Sequence, residues 1–583
     1  MPHSRATYII IGILVSTIAI VLLGYSEILW IIGYYIANGI LLIGIFLVNL
    51  ITHPIIYPIF YLITYFSAIL GVSTIIGTLL WYFKARKKFS SPVKNSKISA
   101  VNLILIVIIA TIISQLVLSI YQRELLYRIS YVLFLISVVF LGIRTTVHIS
   151  TSLAYRTKAK ELKSHPLVSI VLPAYNEEKV IKKTLDALTC LTYKPKEIIC
   201  VNDGSTDNTL KIAQETAANK PIKVLSKPNG GKWTALNHGI KAAKGTIIIC
   251  IDADTILDQN AIEPMVSHFD DPKVAAVAGN IKVGNRKKLL TKLQALEYVS
   301  GLNIQRRSEA YFSKITVVPG PLGAFRASVL ERVGLYSGDT FAEDADLTLK
   351  ILKAGYKITY EKRAIGYTEA PSTLLDLGKQ RYRWYRGILQ SMTKHKNLLF
   401  NPRYGVSGFF MFPWMIFNGL IFSGFTFFTL LWLFILMFNP VSGFVVYRPN
   451  PRGPPIEPPR GPPIEPPGRG PGESMFFGFS EESFNQMLAQ PQPKLVIQID
   501  FFQAIPLIYI FWFVFFLILE ICVIVYAVSV DVKEKPKLAM YIILYKLFYG
   551  YLIDTIRILS QVEQYLGYPM KWEAATRLGE FSY

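Results

Sequence analysis

Residues able to do group-transfer chemistry crowd the middle of the chain. Asp252-Ala253-Asp254 places two carboxylates one residue apart. Such oxygens suit a hard cation, Mg²⁺ or Mn²⁺, that bridges two phosphates and offsets charge on a diphosphate leaving group. Acidic turns also cap helices, so the pair gains meaning only with its neighbours. Pro173-Ala174-Tyr175-Asn176-Glu177-Glu178 and Asn202-Asp203-Gly204-Ser205 add groups that can accept from a base or ribose hydroxyl. Asn229-Gly230-Gly231-Lys232 departs from the Walker spacing at Ser226 and Trp233. Its glycines can still expose amides to a diphosphate beside the Lys232 cation, although a plain turn and cap would look the same.

Further on, Glu343-Asp344 precedes an apolar helical run. A carboxylate there either caps the helix or, in a closed pocket, serves as a general base for a hydroxyl. Gln380, Arg383 and Trp384 fall at helical spacing on one face. The arginine can bind phosphate oxygens and the indole can stack on a sugar; an amphipathic helix at a membrane surface is the plainer alternative.

These residues need a scaffold, and the pattern around them supplies one. Apolar runs at 167–173, 197–202, 222–225, 246–252 and 274–278 read as strands, and 179–190, 206–218, 233–244 and 260–269 as the helices between them. That alternation predicts βαβ units, a mainly parallel sheet and a ligand site at the carboxyl ends of the strands. The acidic and amide groups lie at three of those ends.

The rest of the chain is of another kind. Of 583 residues, 52% are hydrophobic and 17% charged, below the roughly 25% charge of ordinary soluble chains. That excludes a disordered tail protein or a small disulfide scaffold. Cys190, Cys200, Cys250 and Cys522 have no zinc spacing and read as reduced, packed thiols. The net charge of +22 comes without a zinc-finger or basic-zipper pattern, so no nucleic-acid partner is expected.

Apolar stretches at 8–23, 28–50, 59–83, 101–121, 125–148, 408–438 and 501–530 read as membrane spans, which need about 20 residues each. Six basic and no acidic residues in 84–100 put that loop inside, and with it the polar block. The expected divisions are a membrane region of about five spans at 1–154 and a cytoplasmic catalytic domain with interfacial helices at 155–400. An interfacial or membrane helix at 401–438, an extracellular proline-rich loop at 439–500 and C-terminal helices at 501–583 follow. The loop holds eleven prolines in 449–471 and repeats Arg-Gly-Pro-Pro-Ile-Glu-Pro-Pro, which reads as an extended spacer or a docking segment. In 538–559, Lys546, Asp554 and Arg557 make an interfacial amphipathic helix at least as plausible as a span.

Taken in order over about 165–400, these motifs, with Gly320-Pro321-Leu322-Gly323-Ala324-Phe325-Arg326, resemble the processive family 2 membrane glycosyltransferases. That family includes cellulose, chitin, hyaluronan and poly-N-acetylglucosamine synthases. The resemblance implies a Rossmann-like GT-A domain that polymerises a hexose or N-acetylhexosamine, with inversion, from a UDP-sugar. UDP-N-acetylglucosamine or UDP-glucose is the expected donor, with Mg²⁺ or Mn²⁺ as cofactor. It assigns Ala174, Tyr175, Glu177, Asp203, Gly231, Lys232, Asp252, Gln380, Arg383 and Trp384 to the nucleotide sugar and Asp252 and Asp254 to the metal. Asp344, with Glu343, would be catalytic; Gly320, Pro321, Leu322, Gly323, Asp344 and Trp384 would meet the acceptor. It further implies a multi-pass cell-membrane protein among membrane lipids, with a growing polysaccharide as acceptor. Transfer of one sugar to a lipid acceptor is the alternative, and an export partner stays open. Asn202 stands where many members carry aspartate, and five N-terminal spans exceed the usual one or two.

Overall fold

The computed structural model describes residues 56–85, 140, 142–156, 162, 164–422, 424, 505–569 and 579. The strands form where apolar side chains run without interruption. In β1 (Val168–Ala174) every residue is buried, and β2 (Lys196–Asp203), β3 (Ile222–Lys227) and β4 (Ile247–Cys250) line up beside it. The remaining strands are β5 (Thr255–Leu257), β6 (Val274–Val283), β7 (Gly323–Arg326) and β8 (Lys357–Thr368). All eight make one sheet in the order β3-β2-β1-β4-β7-β6-β8-β5.

Parallel pairing joins β3, β2, β1 and β4, while β7 runs antiparallel to both β4 and β6. The first four are therefore the doubly wound half expected from the sequence. Successive side chains of β1 serve opposite faces. Ile170 and Leu172 join one core with Ile181 and Leu185; Val171 joins the other with Leu236, Ile248 and Leu347. A sheet buried on both faces needs continuous apolar strands, which is why the pattern does not alternate here.

Taking helices in chain order, α1 is Ile56–Ala85, α2 Ile181–Thr189, α3 Thr209–Ala217 and α4 Lys232–Ala242. Next come α5 (Leu289–Glu297), α6 (Ile304–Tyr311), α7 (Glu343–Lys353), α8 (Leu374–Lys394), α9 (Ile505–Val530) and α10 (Gly550–Tyr565), with short helical turns between them. Thr373 starts α8 by accepting from the Asp376 amide, satisfying an otherwise orphaned donor. Helix α10 packs along α8, and Leu559 shares a core with Tyr382 and with Tyr82 of α1.

Helices α1 and α9 fall on two of the expected spans. Their described side chains begin only at 70 and 514, and among the described residues no helix is long and apolar enough to cross a membrane. The stretches 8–23, 28–50 and 101–121, most of 125–148 and 408–438, and the proline-rich loop lie outside the described residues. Past α9, the polar turn packs against the sheet. Lys282 Nζ of β6 lies 2.8 Å from Asp531 and 3.1 Å from Glu534, with all three side chains almost wholly buried. The four cysteines are not all packed: Cys200 and Cys250 are buried, whereas Cys190, at the C-cap of α2, and Cys522, within α9, are exposed.

Candidate functional site

Strand ends build the site. β1 ends at the buried Ala174, and Asn176 then turns the chain with φ 57°, a left-handed conformation that asparagine tolerates better than bulkier residues. The turn is held by Thr206, whose amide donates to Asn176 Oδ1 at 2.9 Å, and by the Glu177 amide donating to Thr209 Oγ1 at 2.7 Å. Tyr175 and Glu177 are thereby left half-buried beside the end of β2.

At that end Asp203 accepts from Lys227 Nζ at 2.6 Å and from the Gly230 amide at 3.1 Å. Gly204 has φ 70°, and a Cβ there would stand 2.6 Å from the Asn229 nitrogen. Only glycine lets the two loops approach so closely. Asn202, in place of an aspartate, donates to Ser226 Oγ at 3.0 Å and accepts from the Ser205 amide at 3.3 Å. Its role here is to shape the turn that carries Asp203.

Gly231, with φ 89°, delivers the chain into α4, whose first residue is Lys232. Lys232 Nζ lies 2.7 Å from Asp252 and 3.1 Å from Glu343. Burial works against the ammonium charge, but Asp252 and Glu343 override it and hold the pKa of Lys232 above its ordinary value. Gly320 closes over this pair: a Cβ there would come within 2.9 Å of Lys232 Nζ and 3.7 Å of the Asp252 carboxylate. The Gly320 amide donates to Asp344 Oδ2 at 3.3 Å, and the Ala345 amide to Asp344 Oδ1 at 2.8 Å. Asp344 is half-buried beside Glu343; desolvation and the neighbouring carboxylate push its pKa up to about 6, against the pull of Lys232. A carboxylate poised there is suited to take a proton near neutrality.

The resulting cluster brings together Lys232, Asp252, Gly320, Glu343 and Asp344 from four separate stretches of chain. Asp252 and Asp254 lie past β4, which ends at Cys250 because its antiparallel partner β7 begins at Gly323 opposite it. Asp254 is buried, with Oδ1 accepting from Thr255 and Thr368 at 3.2 Å each. Asp252 Oδ1, shielded from solvent, has the Lys232 ammonium 2.7 Å away. Among the described residues no three His, Cys, Asp or Glu side chains gather into a metal cage. Two carboxylates one residue apart, completed by substrate phosphates, are nevertheless the hard oxygen ligands that Mg²⁺ or Mn²⁺ accepts, so the donor set fits such an ion.

Leu322 is fully buried in the core, fitted against Gly279, and Gly323 already belongs to β7. Of the six residues expected at the acceptor, Gly320, Pro321, Asp344 and Trp384 are half-buried. On α8, Arg383 and Trp384 are half-buried; the neighbouring Arg381 is fully buried, donates to Glu297 at 2.7 Å and lies 4.2 Å over the Trp384 ring. The helix is tied to the Asp344 loop further along. A Cβ on Gly387 would stand 2.5 Å from the Ala342 nitrogen, and Gln390 Oε1 accepts from the Phe341 amide at 3.0 Å. Neither residue was singled out from sequence, where a glycine inside a helical run was the one available signal.

Residues 169–334 match the family model described as glycosyl transferase family 2. The chain is 38% identical over 222 residues to poly-β-1,6-N-acetyl-D-glucosamine synthase of Staphylococcus epidermidis, an alignment covering 38% of this chain and 54% of that protein. The figures are the same for the synthase of Staphylococcus aureus strain COL, so the chain spans about half the length of the curated relatives it matches. Among solved structures, a mannosyltransferase from Pyrobaculum calidifontis in complex with GDP-Man and Mn²⁺ is 20% identical, over 54% of this chain and 97% of that one, with a TM-score of 0.38. The stretch that matches, residues 169–334, holds the parallel half of the sheet and its acidic strand ends, and over that stretch the chain is similar to glycosyl transferase family 2.

Proposed function

We propose that the protein is a processive, inverting synthase that polymerises N-acetylglucosamine from UDP-N-acetylglucosamine at the cytoplasmic face of the cell membrane and passes the polysaccharide across it. The observation that carries the reading is Asp344: a half-buried carboxylate raised to about 6 and facing the Gly320 amide beside the Lys232–Asp252 pair. The names of the staphylococcal relatives support the sugar, and the long apolar runs support the membrane setting.

Asp203, steadied by Lys227 and Gly230, accepts from the uracil or ribose, while Tyr175 and Glu177 line the same end of the sheet. Asp344 takes the proton of the acceptor hydroxyl as that oxygen attacks the anomeric carbon. The new C–O bond forms on the face opposite the breaking bond to the diphosphate, so the configuration inverts and UDP leaves with the electron pair. Lys232 and Arg383 are the cations available to the departing charge. Asp252 and Asp254 would hold a divalent ion, which when bound supplies Lewis-acid stabilisation of the diphosphate.

The test is product size. Purified protein given labelled UDP-N-acetylglucosamine or UDP-glucose with Mn²⁺ should yield lipid-free, high-mass product from the first donor. A product of one sugar on lipid would make the protein a glycolipid synthase, and no turnover would overturn the reading.

A further inference from the structure

The loop that presents Asp344 is held from a distance. Phe341 and Ala342 immediately precede Glu343 and Asp344, and the Phe341 amide donates to Gln390 Oε1 on α8 at 3.0 Å. Gln390 Nε2 in turn donates to Gln564 Oε1 on α10 at 3.1 Å, and that same oxygen accepts from Arg386 Nε at 2.8 Å. Arg386 is buried; it also donates to the Tyr568 carbonyl at 2.6 Å and to the Tyr382 hydroxyl at 2.9 Å, and Tyr382 donates to the buried Glu563. Between Arg386 and Gln390, Gly387 brings the backbone of α8 against Phe341 and Ala342, leaving no room for a side chain.

We propose that Gln564 is a positioning residue for the catalytic base, acting through Gln390. The inference rests on the assignment of Asp344 as base. One side-chain oxygen of α10 fixes both donors of α8 that face it. With its amide group so oriented, Gln390 presents its own oxygen to the Phe341 amide, two peptide units ahead of the glutamate that pairs with Lys232 and three ahead of the base. The row is partly shielded from water, and in a hydrogen-bonded chain each member orients the next, so removing the end member frees the row to turn. Helix α10 thus completes the catalytic loop.

The chemistry of the link dictates the variants. Gln564 uses only its acceptor oxygen, so Gln564→Glu keeps the row and Gln564→Leu removes it. The full-length protein in detergent or lipid is studied by amide hydrogen exchange of the peptide carrying Phe341 and by initial-rate kinetics with UDP-N-acetylglucosamine. Gln564→Leu should speed Phe341 exchange and lower kcat about fivefold, about one hydrogen bond's net worth, with KM for the donor and UDP affinity unchanged. Gln564→Glu should match the parent, Gln390→Leu should match Gln564→Leu, and the double variant should lose no more than either single one. Additive losses in the double variant, an unchanged Phe341 exchange rate in Gln564→Leu, or an equal loss in Gln564→Glu would each overturn the proposal. Exchange is read whether or not the donor turns over. A parent protein without turnover therefore sinks the functional reading, whereas an unresponsive Phe341 sinks this one.

Discussion

Lys232 and Asp252 meet at 2.7 Å at the start of α4 and past the end of β4, 20 positions apart in sequence, with Glu343 on the lysine's other side at 3.1 Å. The ammonium lowers the pKa of Asp344 as well as standing ready for a diphosphate. Lys232→Met should therefore do two things. Turnover should fall by about 10²–10³, as for loss of a charge-stabilising group, and the acidic limb of the pH profile should move to higher pH. A pH series of kcat/KM on parent and variant checks both.

Asp344 itself sets the parent profile. A base with a pKa of about 6 should make kcat/KM fall about tenfold per unit below pH 6 and level off above it. Asp344→Asn should lose about 10²–10⁴ in kcat while still binding UDP, measured by calorimetry. The sign for stability is the reverse. The folded pKa lies above the ordinary 3.8, so the folded state holds a proton that the unfolded state has lost between those values. Ionised Asp344 thus costs stability above about pH 6, and Asp344→Asn should melt higher than the parent at pH 7.

Asp252 and Asp254 predict a metal requirement. Chelation should abolish turnover and Mn²⁺ or Mg²⁺ should restore it, with Asp254→Asn shifting the metal titration to higher concentration. Turnover independent of chelator would remove the metal assignment.

Lys282 offers a prediction about stability alone. It is buried against Asp531 and Glu534, and Asp531 also accepts from Asn280 at 2.9 Å and Asn303 at 3.0 Å. Lys282→Met strands buried negative charge and should cost about 3–5 kcal/mol. Denaturant titration of the full chain measures it; a loss under 1 kcal/mol would mean that Arg286, which pairs with Glu534, is enough by itself.

Much of the scaffold was legible because it is local. The apolar run 167–173 is β1 to within a residue, and the expected helix at 233–244 is α4 shifted by one or two positions. The run 246–252 was read too long, since β4 stops opposite Gly323, where its antiparallel partner β7 begins. β8 carries Lys357, Glu361, Lys362 and Arg363 and shows no clean apolar pattern; pairing with β6 makes it a strand. Helix 260–269 is cut to Ile262–Val266 and a tighter turn.

By itself the sequence determined the kinds of group and their order: acidic strand ends, a glycine-opened helix with lysine at its head, a carboxylate pair before an apolar helix. Spacing of a few residues is enough for these, since a strand or helix converts it directly into direction. Only the tertiary structure decided that Lys232 pairs with Asp252 and Glu343, that Leu322 goes to the core, and that Gln564 reaches Gln390 across 174 positions. Those outcomes depend on which surfaces pack together, and burial then fixes the charge and hydrogen-bonding state of each group. No local pattern encodes that.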